Sequence, residues 1–231
     1  MGRAKEIVVK VIPSKIANDF VKKHHYSGKV VANSKLHFGC FLDDKLHGVM
    51  SYGSCMVKKN MLHIIKGTKW NDFIELNRMA FDEYLPKYAE SRCIAISIRL
   101  IKKNAPHIKW IVSFADGNLC GDGTIYKASG FHLTAVNKNA STYLMPNGEV
   151  TNVMTSSAHR AHLSNGKTGA NWIKQSGGKK LEGFQLRYIY LIDKSCKITV
   201  PILPFSKIDE MGAGMYKGKK ITIAERQAVE A

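Results

Sequence analysis

At 231 residues the chain is long enough for one domain with a full core, and its 45% apolar content suits a folded globule rather than a disordered chain. No run approaches the roughly 18–20 apolar residues of a membrane helix, and the N-terminus lacks the apolar core of a signal peptide, so a soluble cytoplasmic protein is expected. Thirty-five Lys and Arg against eighteen Asp and Glu leave a net charge of +17, a field that attracts polyanions and points to nucleic acid as the partner.

Residues 6–12 alternate apolar and polar and stop at Pro13, which predicts a first strand. Ser14 is then placed to cap a helix whose apolar positions Ile16, Ala17, Phe20 and Val21 recur at helical spacing. That helix runs into His24-His25-Tyr26-Ser27-Gly28, where the glycine ends it or its following turn. Residues 36–42 and 46–52 read as two strands of a hairpin around Asp43-Asp44-Lys45. Residues 74–81 form another strand, and residues 91–103 a helix with Ile94, Ile98 and Ile101 in a buried stripe. The nearly all-apolar run 108–115 marks a strand buried on both faces. A short helix at 124–129 and strands at 131–136 and 184–192 follow, and a tail from Ile198, with Pro201 and Pro204, reads as an extended wrap. A hairpin followed by strand–helix–strand units gives an α/β fold, a mixed central sheet flanked by helices.

Between the last two strands lies a stretch of a different composition. Residues 150–181 contain no carboxylate, but carry Arg160, Lys167, Lys174, Lys179 and Lys180 with His159, His162 and Trp172 interleaved. Four glycines (166, 169, 177 and 178) and little apolar periodicity predict a flexible basic loop or wing that contacts phosphates. The five cysteines are odd in number and none pair as CxxC, which fits a reducing compartment without a zinc ribbon. Cys40, Cys55 and Cys93 lie in apolar runs and read as core; Cys120, beside glycines, is the functional candidate.

The segment Gly123-Thr124-Ile125-Tyr126-Lys127-Ala128-Ser129-Gly130-Phe131 resembles the element that closes the fourth helix of GNAT acyltransferases, and the element order resembles that fold over most of residues 5–195. Three further segments, His24–Gly28, Glu75-Leu76-Asn77-Arg78-Met79-Ala80 and Ser113-Phe114-Ala115-Asp116-Gly117, together resemble the phage Mom family of DNA-modification proteins. The resemblance implies a GNAT-like catalytic domain over 1–197, with the basic insertion at 150–181, and a separate tail over 198–231. It implies an enzyme acting on double-stranded DNA in the host cytoplasm, adding a carbamoylmethyl group to adenine N6 and so shielding phage DNA from restriction. It also implies iron held by His25, Tyr26 and Asp116, with Tyr126 as a possible fourth donor.

The residues themselves suit such chemistry. Adenine N6 is a poor nucleophile because its lone pair is delocalised, so its proton must be shared or removed. Tyr26, Asp116 and Tyr126 are the catalytic candidates, and Glu75, a carboxylate inside an apolar strand, is a candidate general base. Each has a plain alternative: His25 as a helix-end cation, Tyr26 as a wall residue, Asp116 as the start of a turn, Tyr126 as packing. Ser113 reads as a satisfied core hydroxyl, and Arg78 is expected on the strand face opposite Glu75. Watson–Crick pairing hides N6, so the base must leave the stack, with Trp172 or Tyr143 filling the gap. One departure from GNAT enzymes concerns the donor. The coenzyme A pyrophosphate loop is glycine-rich, whereas Tyr84-Leu85-Pro86-Lys87-Tyr88-Ala89-Glu90-Ser91 has no glycine and places Glu90 where phosphate would sit. A coenzyme A thioester is therefore disfavoured as donor. Two other functions remain open at this point, a conventional acetyl-CoA-dependent N-acetyltransferase and a non-catalytic DNA-binding protein.

Overall fold

A computed structural model describes residues 2–153, 156, 169–222, 224, 225 and 228. After a 3-10 turn at Arg3–Glu6, β1 (Val8–Val11) leads to Pro13, which itself occupies the N-cap of α1 (Ser14–His24). Ser14 is thus the first helical residue rather than the cap, and no side chain caps this end. Ala17 and Val21 bury the inner face of α1 against Ile12, Val49 and Ala80. Ile16, expected in that stripe, is exposed.

β2 (Ser34–Leu42) and β3 (Lys45–Gly53) are joined by Asp43 and Asp44, both at positive φ (50° and 58°). Positive φ at both central residues matches the right-handed twist of the strands, and aspartate tolerates it better than most side chains. β4 (Phe73–Phe81), α2 (Ala89–Asn104), β5 (Trp110–Asp116), α3 (Thr124–Ala128) and β6 (His132–Lys138) follow. β10 (Phe184–Leu191) inserts between β5 and β6, completing a seven-stranded sheet in the order β1-β2-β3-β4-β5-β10-β6. β1 to β4 pair antiparallel and β4 with β5 parallel, so the mixed, helix-flanked sheet expected from the sequence is present.

Between β6 and β10 the chain forms a second, three-stranded sheet, β8-β7-β9, from β7 (Thr142–Leu144), β8 (Val150–Asn152) and β9 (Lys179–Lys180). A helix at Gly169–Gln175 precedes β9. The described parts of the basic stretch are therefore strand, helix and strand, not the flexible loop that its glycines predicted. Strands of two or three residues are too short to show apolar alternation. Arg160, Lys167, His159 and His162 lie outside the described residues.

The tail leaves β10 and lies along the fold in extended form. Ile198 bridges Ile65, Thr199 N–H donates to the Ile64 carbonyl and Leu203 N–H to the Leu133 carbonyl. A helix at Ser206–Glu210 and a hairpin of β11 (Met215–Tyr216) and β12 (Lys219–Lys220) were not anticipated.

The chain divides into two compact units. The first comprises Met1–Ala115, Gly123–Ala135 and Leu186–Lys207. Its core includes Phe73 stacked on Trp110 (centroids 4.2 Å apart) with Ile64, Ile65, Val112 and Ile189 around them. The second comprises Asp116–Asp122, Val136–Gln185 and Ile208–Ala231. There Asn139 is the tie: its Nδ2 donates to the Thr142 and Leu181 carbonyls and its Oδ1 accepts from the Ser141 and Thr142 amides. No helix among the described residues is long and apolar enough to cross a membrane.

Candidate functional site

The parallel pairing of β4 with β5 covers only Phe73–Leu76 against Trp110–Ser113, although β4 continues to Phe81. The point where it stops is also where β4 carries an extra residue. Ser51 of β3 pairs with Arg78 and Tyr52 with Leu76, leaving Asn77 without a partner across the strand. Such a bulge bends its strand and re-aims the side chains around it. Ser113 Oγ donates to the Leu76 carbonyl at 2.8 Å, so it is the satisfied core hydroxyl its surroundings predicted. Asn77 Oδ1 accepts from Ser34 Oγ at 2.8 Å, while its Nδ2 is buried with no described hydrogen-bond partner.

The bulge also corrects the expected relation of Glu75 to Arg78. Strict alternation would set them on opposite faces, but one extra residue between them reverses the count. The Arg78 guanidinium lies close enough to favour the Glu75 carboxylate electrostatically. Burial is the larger influence and holds the carboxyl above the ordinary glutamate range, against hydrogen bonds from the Cys55 thiol and the Met56 amide. Cys55 is in turn pushed up to about 12 by burial and the Glu75 charge, so it is a neutral thiol and no nucleophile.

Arg78 also anchors the turn that follows α1. Its Nε donates to the Lys29 carbonyl at 2.9 Å and its Nη1 to the Asn77 carbonyl at 2.8 Å. Within that turn the His25 and Tyr26 rings lie 4.3 Å apart, and Tyr26 is half-exposed. The Ser27 amide donates to His25 Nδ1 at 3.2 Å, with Ser27 Oγ at 2.8 Å from the same nitrogen. An accepting Nδ1 leaves the ring proton on Nε2.

Tyr126, on α3, is buried against Phe131 and Tyr188, with ring centroids at 5.4 and 5.1 Å. α3 can start this close to Tyr188 only because residue 123 is glycine: φ is +85°, and a Cβ there would stand 2.5 Å from the Tyr188 ring. Tyr126 also acts electrostatically on Tyr52, whose buried hydroxyl bonds Ser97 Oγ at 2.7 Å and is held well above the usual phenol range by burial. Asp116 ends β5 within the second unit, and its Oδ1 accepts from the Asn118 amide at 2.9 Å and Asn118 Nδ2 at 2.8 Å. This is the turn expected as its plain alternative. The Cys120 thiol is raised by burial and by the Asp116 charge.

The turn with His25 and Tyr26 is thus tied to β4 by the Arg78 bond to the Lys29 carbonyl, and Arg78 acts on Glu75 within that strand through charge. Sequence reasoning missed Asn77 and Tyr52. Polar Asn-Arg inside an apolar strand was the signal for the bulge; nothing in the sequence marked Tyr52.

Of the expected iron set, His25 and Tyr26 lie in one turn of the first unit and Asp116 lies in the second. Among the described residues no group of three or more His, Cys, Asp and Glu is placed to hold a metal ion. The start of α2 is unlike a pyrophosphate cradle. Tyr88 occupies the N-cap at φ 68° and Glu90 stands in the first turn, repelling phosphate from the helix end. Of the basic candidates in the second unit, Lys174, Lys179 and Lys180 are exposed. Tyr143 is buried and Trp172 half-buried, so Tyr143 does not offer the free ring expected to fill a gap in DNA.

The profile of the Mom protein family matches residues 6–207. The methylcarbamoylase Mom of Escherichia phage Mu is 32% identical over 146 residues, 63% of this chain and 60% of that protein; the chain thus spans about 60% of the relative's length. Similar solved structures include a spermidine/spermine N-acetyltransferase of Vibrio cholerae, 9% identical with a TM-score of 0.48, over 84% of this chain and 97% of that one. The ribosomal-protein-S18-alanine N-acetyltransferase of Escherichia coli is another, 10% identical with a TM-score of 0.45, over 81% and 94% of the two chains.

Proposed function

Because the chain belongs to the Mom protein family, we propose that it is a DNA-modifying transferase that adds a carbamoylmethyl group to adenine N6 in phage DNA within the host cell, protecting that DNA from restriction. The match over residues 6–207 carries this reading, and the phage Mu relative named as a methylcarbamoylase supports the group transferred. The net charge of +17 suits a polyanionic substrate.

In the reaction a bond forms from N6 to the methylene carbon, the donor's leaving group departs from that carbon, and N6 loses one proton. Glu75, with a carboxyl raised by burial and biased by Arg78, is the candidate to accept that proton. Tyr126 and Tyr26 present hydroxyls for orienting the base or sharing its proton, and His25 offers an Nε2–H donor. Asp116 belongs to the proposed set through the family resemblance. Lys174, Lys179 and Lys180 are proposed to contact phosphates, with Arg160 and Lys167 from the same stretch. Coenzyme A does not suit as donor, since Glu90 and the absence of glycine at 84–91 oppose its pyrophosphate.

The test is mass spectrometry of nucleosides from DNA of cells expressing the full chain. The expected product is deoxyadenosine carrying a carbamoylmethyl group in place of one N6 hydrogen; N6-acetyl product, or unmodified adenine at full expression, would replace this reading.

A further inference from the structure

Lys58 has no catalytic part in the reading above, and its surroundings are unusual for a lysine. It is only 8% exposed, yet among the described residues it makes no ion pair. Its Nζ lies 5.1 Å from the Trp70 ring centroid and 5.3 Å from that of Phe73, and burial lowers its affinity for the proton. Aromatic faces attract a cation and offset part of the cost of partly desolvating the ammonium. Asp72 is engaged elsewhere: it accepts from the Lys69 amide and pairs with Lys109 at 3.6 Å.

Lys58 lines a cavity of about 360 Å³ in the first unit, at the start of β4 and the end of α2. That volume falls in the range of roughly 300–1,000 Å³ typical of small-molecule sites. Tyr52, Phe73, Ile101 and Ile108 supply apolar wall, and the charged or titratable residues of the lining besides Tyr52 are Lys35, Lys58 and His107. No carboxylate is among them. Some of the carbonyls around the end of α2 are engaged. Asn104 Nδ2 donates to Leu100 O at 2.8 Å, Ala105 N–H to Ile101 O and Ile108 N–H to Ala105 O. The cavity thus presents two ammonium groups and an imidazole with no acidic residue in its lining, a composition that suits an anion.

We propose that this cavity binds a nucleotide, its phosphate at the Lys58 ammonium with Lys35 at the mouth, and its base against Tyr52, Phe73 and the isoleucines. Ser54 and Asn71, also in the lining, supply hydrogen bonds for the edge of a heterocycle. The phosphate is that of a free mononucleotide or of a nucleotide within DNA, and the two sources are separable. The choice of a nucleotide over another phosphate ester rests on the proposed DNA substrate; the anion site itself does not.

The experiment titrates dAMP, a short single-stranded oligodeoxynucleotide and adenosine into the full chain by calorimetry, at two salt concentrations. Saturable binding of dAMP, weakened by salt and absent for adenosine, is expected for a free-nucleotide site; binding of the oligonucleotide alone assigns the phosphate to DNA. Lys58→Met keeps the aliphatic stem under Trp70 and removes the charge. It is expected to weaken binding roughly 10–100-fold, the size of a lost charge-assisted hydrogen bond, without lowering the melting temperature. Binding by neither nucleotide, equal binding of adenosine and dAMP, or undiminished binding by a folded Lys58→Met variant would overturn the proposal. Because this readout needs no modification of DNA, its failure is distinct from failure of the proposed reaction.

Discussion

Gly123→Ala probes the contact that sets Tyr126 in place. The added methyl meets two separate penalties. At φ +85° a side chain sits in the left-handed region, costing roughly 1–2 kcal/mol. The Cβ would also stand 2.5 Å from Tyr188 Cε2, 2.8 Å from its Cζ and 3.0 Å from Tyr126 Cδ2. Tyr188 is fully buried, so the ring cannot swing into solvent, and overpacking of this kind costs about 1–3 kcal/mol. Together the substitution should destabilise the protein by about 2–5 kcal/mol. Gly67→Ala is the control, with φ +70° and nothing within 4 Å of the new methyl, so it carries the backbone penalty alone. Urea unfolding of the two variants, compared at unchanged m, isolates the steric part. Equal losses of stability in the two variants would refute the close packing of α3 on Tyr188.

Replacing Lys174, Lys179 and Lys180 together by alanine should flatten the salt dependence of DNA binding by about 2–3 in log–log slope, one step of roughly 0.9 per lost phosphate contact; an unchanged slope removes this surface from the interface. Acetyl-CoA should give no low-micromolar binding in calorimetry, because Glu90 and Tyr88 replace a glycine-rich cradle, and tight binding would restore the acetyltransferase reading. Glu75→Gln should stabilise the protein at neutral pH. The folded carboxyl titrates above its unfolded value, so wild-type stability falls as pH rises from the ordinary glutamate range through the raised folded value, then levels off. The advantage of Gln should therefore vanish in acid; an advantage independent of pH would contradict the raised carboxyl.

The sequence made the large elements legible because each carries a long periodic signal. The stripe of Ile94, Ile98 and Ile101 and the buried run of β5 are visible by eye, and the Asp43-Asp44 turn declares its hairpin. What escaped depends on single residues acting against their element's period. Asn77 adds one residue to β4, and this alone moves Arg78 from the face opposite Glu75 to a position that acts on it. Residues 150–181 read as a loop because β8 and β9 are too short for an apolar pattern of their own, and β9 is held by a partner distant in sequence, Tyr143 against Lys180. For His25, the residue type suggested a ligand, while the Ser27 amide two residues on decides which nitrogen holds the proton. Lys58 carried no sequence signal, since its burial follows from Trp70 and Phe73 closing over it.

The central claim is that this chain modifies adenine in DNA and uses Tyr126 to do so. The most direct measurement is the ratio of carbamoylmethylated to total deoxyadenosine in DNA from cells expressing wild type or Tyr126→Phe at equal levels. The phenylalanine keeps the ring against Phe131 and Tyr188 and removes only the hydroxyl, so the melting temperature should change little. The account predicts modified adenine with wild type and a loss of about 10²–10⁴-fold in the rate of modification with Tyr126→Phe, the usual contribution of an acid–base group. Unmodified adenine with wild type, or near wild-type modification by a stable Tyr126→Phe protein, would contradict it.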